Sequence, residues 1–302
     1  MTADPPKLFL FQPGGWTRFW STIQRAFIAS YEDNCFGIAK GAAYSILLCF
    51  FPVLTSIAAI LARAKSEDVA RVLSRFLFEA VPPGSEDMVR YVFTVRGERP
   101  VGLLIGATLL SIWAASSAMV SLMEGFQAAY RLPTGRPFVQ QRAMAIALVF
   151  GAALPALVAS SLVLFGARYE RAFLHGFSGS VDAEDLRGWV ITAGRFIRLG
   201  TAFLTFVGVN ILFYSLGPNR SMRVGMVWPG ALVATVLWFL STLGFGWYVR
   251  NIADYNLLYG GIGAFIALLT WMYLLSVISL YGCEFNAERE RLAMEMAGEA
   301  GV

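Results

Sequence analysis

One histidine, His175, is all the imidazole this chain offers. General acid–base, nucleophilic and zinc chemistry need titratable groups within hydrogen-bond reach in a pocket, and histidine is the commonest of them. His175 stands near Ser178, Ser180 and Asp182, types that could form a nucleophilic triad, but in a stretch that also holds Gly176 and Gly179 the combination is ordinary for a polar loop. The three cysteines, Cys35, Cys49 and Cys283, form an odd set without C-x-x-C spacing. They read as small apolar side chains, not as a disulfide framework or a zinc knuckle. No H-E-x-x-H, no G-x-x-x-x-G-K-[ST] and no Rossmann glycine fingerprint occurs. The expectation is no catalytic residue, no metal and no cofactor, and the residue supply excludes an RNA hydrolase built on His and Asp around metal ions.

What remains are charged or backbone-breaking groups beside apolar runs. Arg195 and Arg198 are three apart, so they share a helix face at the edge of such a run. A charge at that depth faces a partner, water or a lipid headgroup. Two guanidiniums on one face suit a phosphate or carboxylate held bidentately, and snorkelling to lipid phosphate is the structural alternative. Pro52 and Pro155 fall near the middle of two runs and Pro229 near the start of another, each removing a hydrogen bond to the residue four before it: Leu48, Gly151 and Gly225. The freed carbonyls could line a path for a solute or cation, and simple kinking is the alternative. Glu124 and Glu284 close two further runs, and Asn210 lies inside the run that follows the arginines. Arg195, Arg198, Pro52, Pro155, Asn210, Glu124 and Glu284 are therefore the candidate substrate-path or anion-facing residues.

Those runs are the elements that must position them. Of 302 residues, 57% are hydrophobic and only 15% charged, with a mean hydropathy of +0.60. A soluble domain carries about 25% charged residues, so a water-soluble fold is excluded, and a net charge of +4 diluted over such a chain argues against a nucleic-acid partner. A hydrocarbon core about 30 Å thick needs about 20 apolar residues in a helix, because every backbone polar group must be satisfied within the segment. Six segments meet the test: Gly41 to Ala62, Val101 to Leu122, Ala143 to Phe165, Leu199 to Leu216, Val224 to Val249 and Gly260 to Cys283, none holding Asp, Glu, Lys, Arg or His. The predicted fold is an all-α polytopic membrane protein with six transmembrane helices over 41–283, an N-terminal segment over 1–40 and a tail over 284–302. Within the first segment Trp16, Phe19, Trp20, Ile23, Phe27 and Tyr31 recur at helical spacing. That pattern predicts a helix in the membrane interface, or one packed on the protein's own cytosolic surface. The connection over 63–100 shows a second amphipathic pattern ended by Pro82-Pro83-Gly84 and restarted at Ser85-Glu86-Asp87, which predicts a helical hairpin on the periplasmic face.

An even number of spans puts both termini on one side. The two short loops on that side hold Arg131, Arg136, Arg142, Arg220 and Arg223 against Glu124 alone. By the positive-inside rule both termini are cytoplasmic, although the long first connection carries Lys/Arg of its own.

The segment Asp33 to Pro52, with Ala42-Ala43-Tyr44-Ser45 and Leu48, resembles the first-span signature of the YihY/virulence factor BrkB family of bacterial inner-membrane proteins. Trp113, Ser117, Glu124 and Tyr130 resemble its second span, and Pro229-Gly230-Ala231 with Trp238 and Tyr248 its fifth. Tyr259-Gly260, Gly263-Ala264, Trp271, Tyr273, Gly282, Glu284 and Asn286 resemble its sixth. The resemblance implies six spans with both ends cytoplasmic and a role in the cell envelope or virulence. A ribonuclease label once attached to some members conflicts with the residue supply above. The expected function is a transporter or exporter-like permease for an anionic solute, envelope precursor or lipid-linked substrate. The rival is a non-transporting membrane scaffold or regulator. Membrane lipids are the expected partners, together with a second copy of the chain in a homo-oligomer.

Overall fold

A computed structural model of the chain describes residues 15–63, 101–132, 136–175, 183–220, 222–251 and 261–299. The hairpin expected over 63–100, past Arg63, and the loop with Ser178, Ser180 and Asp182 lie outside the described residues. Seven helices and no strand occur among those described: α1 (Gly15–Glu32), α2 (Cys35–Arg63), α3 (Val101–Ala129), α4 (Phe138–His175), α5 (Ala183–Leu216), α6 (Val224–Asn251) and α7 (Gly261–Glu299). Six are long and apolar enough to cross a membrane, over Cys35–Leu54, Ile105–Ala129, Phe138–Ser161, Ile191–Leu216, Val224–Asn251 and Phe265–Ala297. The chain is thus an all-α protein with six membrane-spanning helices.

Each span overlaps one apolar run, but the helices outrun the runs. The stretch after Cys283, AERERLAMEMAGE from Ala287, is rich in strong helix formers and carries the i,i+3 pair Glu288–Arg291, so α7 continues to Glu299 where the apolar run stops. The fourth span likewise begins at Ile191, earlier than the apolar run at Leu199, which puts Arg195 and Arg198 inside the span and not at its edge. A 26-residue apolar helix carries two arginines without losing its overall hydropathy.

Helix contacts close a ring in the order α2, α3, α4, α5, α6, α7 and back to α2, with a further contact between α3 and α7 across it. The main core lies at one end of this ring. There Cys35 and Ala39 of α2, Met123 and Phe126 of α3, Leu148 of α4, Tyr214 of α5, Ala231 of α6 and Leu280 and Cys283 of α7 pack together. This is the end where α3 hands over to α4 and α5 to α6. A smaller cluster, Ala43 and Leu47 with Leu268 and Met272, joins α2 to α7 further along.

α1 docks on α7. Its buried face is the small-residue stripe Thr22, Ala26, Ala29 and Ser30, which lets the helix approach closely. Phe19 meets Phe285 edge-on at 5.8 Å, the Tyr281 hydroxyl donates to the Ile23 carbonyl at 3.1 Å, and Arg25 pairs with Glu295 at 3.0 Å. Trp20, Phe27 and Tyr31 of the aromatic stripe remain exposed on the outside. Asn34, at φ 55°, makes the tight link into α2. Arg131, at φ 49°, ends α3 in a Schellman turn, with Leu132 N–H donating to Gln127 O and Arg131 N–H to Ala128 O.

Candidate functional site

The polar side chains converge at the packed end, on the part of α7 that follows the apolar run. Residues 282–288 are all buried there, because α1, α2, α3 and α6 surround them. Glu284 is fully buried, and its Oε1 accepts from the Cys35 thiol at 3.4 Å. Its Oε2, and Oδ2 of Asp33, are buried without a hydrogen-bond partner among the described residues. A carboxylate of α7, the thiol that opens α2 and an acid from the link before it thus meet in a water-poor setting.

Beside it, Asn286 stitches α7 to the broken start of α6. Pro229 has no N–H to give. Asn286 accepts from Gly230 N–H at 2.8 Å and donates through Nδ2 to Val227 O at 2.9 Å. Arg289 Nη2 donates to Met226 O at 2.7 Å and more weakly to Gly225 O at 3.5 Å, so the carbonyl freed by Pro229 meets a guanidinium. Backbones approach closely at this crossing: a Cβ on Gly230 would collide with the Gly282 carbonyl and the Asn286 amide, and one on Gly282 with Ala234 at 2.7 Å.

Arginines close the other helix ends in the same way. Arg291 donates to Ala129 O at 2.6 Å, at the end of α3, and pairs with Glu288. Arg136 donates to Leu216 O and Gly217 O, both at 2.9 Å, and to Pro218 O at 3.0 Å, at the end of α5. Cations satisfy the orphan carbonyls of helix C-termini and the negative end of the dipole. Burial pulls the Arg136 guanidinium below its ordinary pKa and pushes the Tyr130 hydroxyl well above its own. Arg142 donates to Ser116 Oγ at 2.9 Å and Ser117 Oγ at 3.0 Å and lies 4.3 Å from the Trp113 ring centre, joining α4 to α3.

The structure does not bring the candidate residues into one place. Arg195 is exposed and Arg198 half-buried on α5; Arg195 precedes the end of α5 at Leu216 by about 30 Å of helix, whereas Glu284 belongs to the packed end. Asn210 lies between them and donates to Thr235 Oγ1 of α6 at 3.2 Å and to Phe206 O at 3.0 Å. Pro52 is half-buried, with its own carbonyl accepting from Ser56 Oγ at 2.9 Å; Pro155 and Glu124 are exposed. Among the described residues, no three of His, Cys, Asp and Glu stand together as a metal could require. Sequence reasoning missed Arg142, Arg289, Arg291 and Thr235. The available signal was the E-x-N-x-x-R-x-R spacing from Glu284 to Arg291, which sets Glu284, Glu288 and Arg291 on one helix face.

That combination, a proline-broken α6 held by Asn286 over a Gly230–Gly282 crossing, falls in the regions that a family comparison covers. The profile of the virulence factor BrkB family matches residues 26–300. The chain belongs to this family. Among its curated relatives, the ribonuclease-like protein YfkH of Bacillus subtilis is 29% identical over 248 residues, 81% of this chain and 86% of the relative. A UPF0761 membrane protein of Alteromonas mediterranea is 27% identical over 84% of this chain and 83% of its own length. Another, from Tolumonas auensis, is 23% identical over 95% and 93%. No solved structure matches the chain.

Proposed function

We propose that this BrkB-family membrane protein is a transporter or exporter-like permease of the bacterial inner membrane, acting on an anionic solute or envelope precursor. The observation that supports it most is the uneven packing of the ring. One end is sealed by the main core, yet α5 has no buried residue from Ile191 to Phe213 although it contacts both neighbours, α4 and α6. A ring tight at one end and loosely packed along a polar-bearing member is the arrangement that a path opening towards one side requires. Arg198, Asn210 and Thr235 supply polar groups along that helix and its neighbour, and Arg195 and Arg198 favour an anion. The excess of arginine in the two short loops supports cytoplasmic termini, with the loose end towards the periplasm.

Accessibility decides between a permease and a dry scaffold. Single cysteines at Val53, Ala156, Thr201 and Phe203, in a background without the three native ones, are expected to react with a membrane-impermeant thiol reagent in spheroplasts. Cysteines at Arg136 and Arg220 are expected to react only after lysis. A bundle in which none of the four interior positions reacts from either side is a scaffold, and the permease reading falls. Labelling at Arg136 in intact spheroplasts inverts the orientation.

A further inference from the structure

An apolar groove of about 550 Å³ runs between α1 and α6 with the end of α7 as its floor, within the size range of small-molecule sites, roughly 300–1,000 Å³. Phe19, Trp228, Leu232 and Val236 give it its walls, and Arg18 and Arg289 are the two charged residues along it. No Asp or Glu lines it among the described residues. Its mouth opens on the outer surface of α6, where Val236 is 41% and Leu240 60% exposed, a surface that faces lipid in a six-span bundle. Arg289 donates to the α6 carbonyls through Nη2 alone, so its Nε and Nη1 bond no described residue.

We infer that this groove is a binding site for one anionic phospholipid, its acyl chain along Trp228 and Leu232 and its phosphate against Arg18 and Arg289. The charge pattern selects this occupant. An apolar trough lined by two guanidiniums and, among the described residues, no carboxylate matches a molecule with a long apolar tail and a phosphate head. A zwitterionic lipid brings an ammonium to the same place and loses that advantage. The exposed aromatics of α1, Trp20 and Tyr31, sit on the element that forms one wall, as expected of a helix at headgroup level. A lipid held there bridges α1 to α6, two helices with no other substantial contact. The site does not depend on whether the protein transports anything.

Trp228 provides the readout. The protein is reconstituted in phosphatidylcholine vesicles doped with acyl-brominated phosphatidylglycerol or acyl-brominated phosphatidylcholine, and the Trp228 signal is taken as the difference between wild type and Trp228→Phe. Each arginine near the surface favours an anionic lipid by about fivefold, so quenching by phosphatidylglycerol is expected at a mole fraction many times lower than by phosphatidylcholine. Arg18→Gln is expected to remove about fivefold of that preference. It leaves the Arg289 contacts with α6 in place, so the result does not hinge on Arg289→Gln remaining folded. Equal quenching by the two lipids, a preference unchanged by Arg18→Gln, or displacement of the quencher by inorganic phosphate alone would each overturn the inference.

Discussion

Asn286→Ala tests the claim that one amide holds α7 to the broken start of α6. The side chain is 2% exposed and makes two interhelical bonds to backbone, at 2.8 and 2.9 Å. Interhelical hydrogen bonds in membrane proteins contribute about 0.6 kcal/mol on average and up to about 1.7, so the two together account for roughly 1–3 kcal/mol. Truncation also strips Gly230 N–H of its Asn286 acceptor in a buried crossing. A neighbouring acceptor, Met226 O, is already occupied by Arg289. A stranded buried donor costs about 1–3 kcal/mol, which moves the expectation to the upper part of that range, about 2–3 kcal/mol. The control is Arg220→Ala, which removes a pair with Glu290 whose arginine is 43% exposed and should cost less than about 1 kcal/mol. Equilibrium unfolding in mixed detergent and dodecyl sulfate micelles, followed by helical circular dichroism, reads both. If Asn286→Ala loses no more than the Arg220 control, the amide is not the stitch, and the account of Pro229 and α6 fails with it.

Two further outcomes are expected. Gly230→Ala should abolish monodisperse protein in size-exclusion profiles, because its Cβ would meet the Gly282 carbonyl, while Gly208→Ala and Gly244→Ala, with nothing within 4 Å, should be neutral or stabilising by up to about 1 kcal/mol. Purified protein should release no nucleotides from labelled RNA with or without zinc or manganese, and an activity lost on His175→Ala or Glu124→Gln would refute this.

The six spans were legible because hydrocarbon thickness and backbone satisfaction leave a sequence few alternatives: an uncharged run about 20 residues long is a helix. The ends of the helices were less legible for the same reason. Glu284 and Asn286 follow an apolar run and look like residues leaving the membrane, but helix propensity carries α7 onward and α1 covers it, so both are buried. Nothing local to those residues announces α1, whose docking depends on contacts across more than 250 positions, such as Tyr281 with Ile23. The aromatic stripe of α1 divides between two surroundings, Phe19 and Ile23 against α7 and Trp20, Phe27 and Tyr31 outside. Periodicity marks the aromatic face, whereas the face that lets α1 approach most closely is the stripe of small residues Thr22, Ala26 and Ala29.

The candidate site shows the same asymmetry. Arg195 and Arg198 stood out by charge inside an apolar stretch, a signal independent of tertiary structure. Arg136, Arg142, Arg289 and Arg291 lie where basic residues are expected at a membrane face, and only their partners distinguish them: helix-end carbonyls, two serines beside Trp113, and the turn before Pro229. Charge counting for orientation treats these arginines as solvated, yet the packed end of the bundle uses them as caps. A positive loop can therefore owe its arginines to two causes at once, topology and the unpaired carbonyls of the helices that end there. Substituting Lys for them would preserve the first and weaken the second, because a single ammonium cannot reach three carbonyls in the fixed fork that Arg136 uses on Leu216, Gly217 and Pro218.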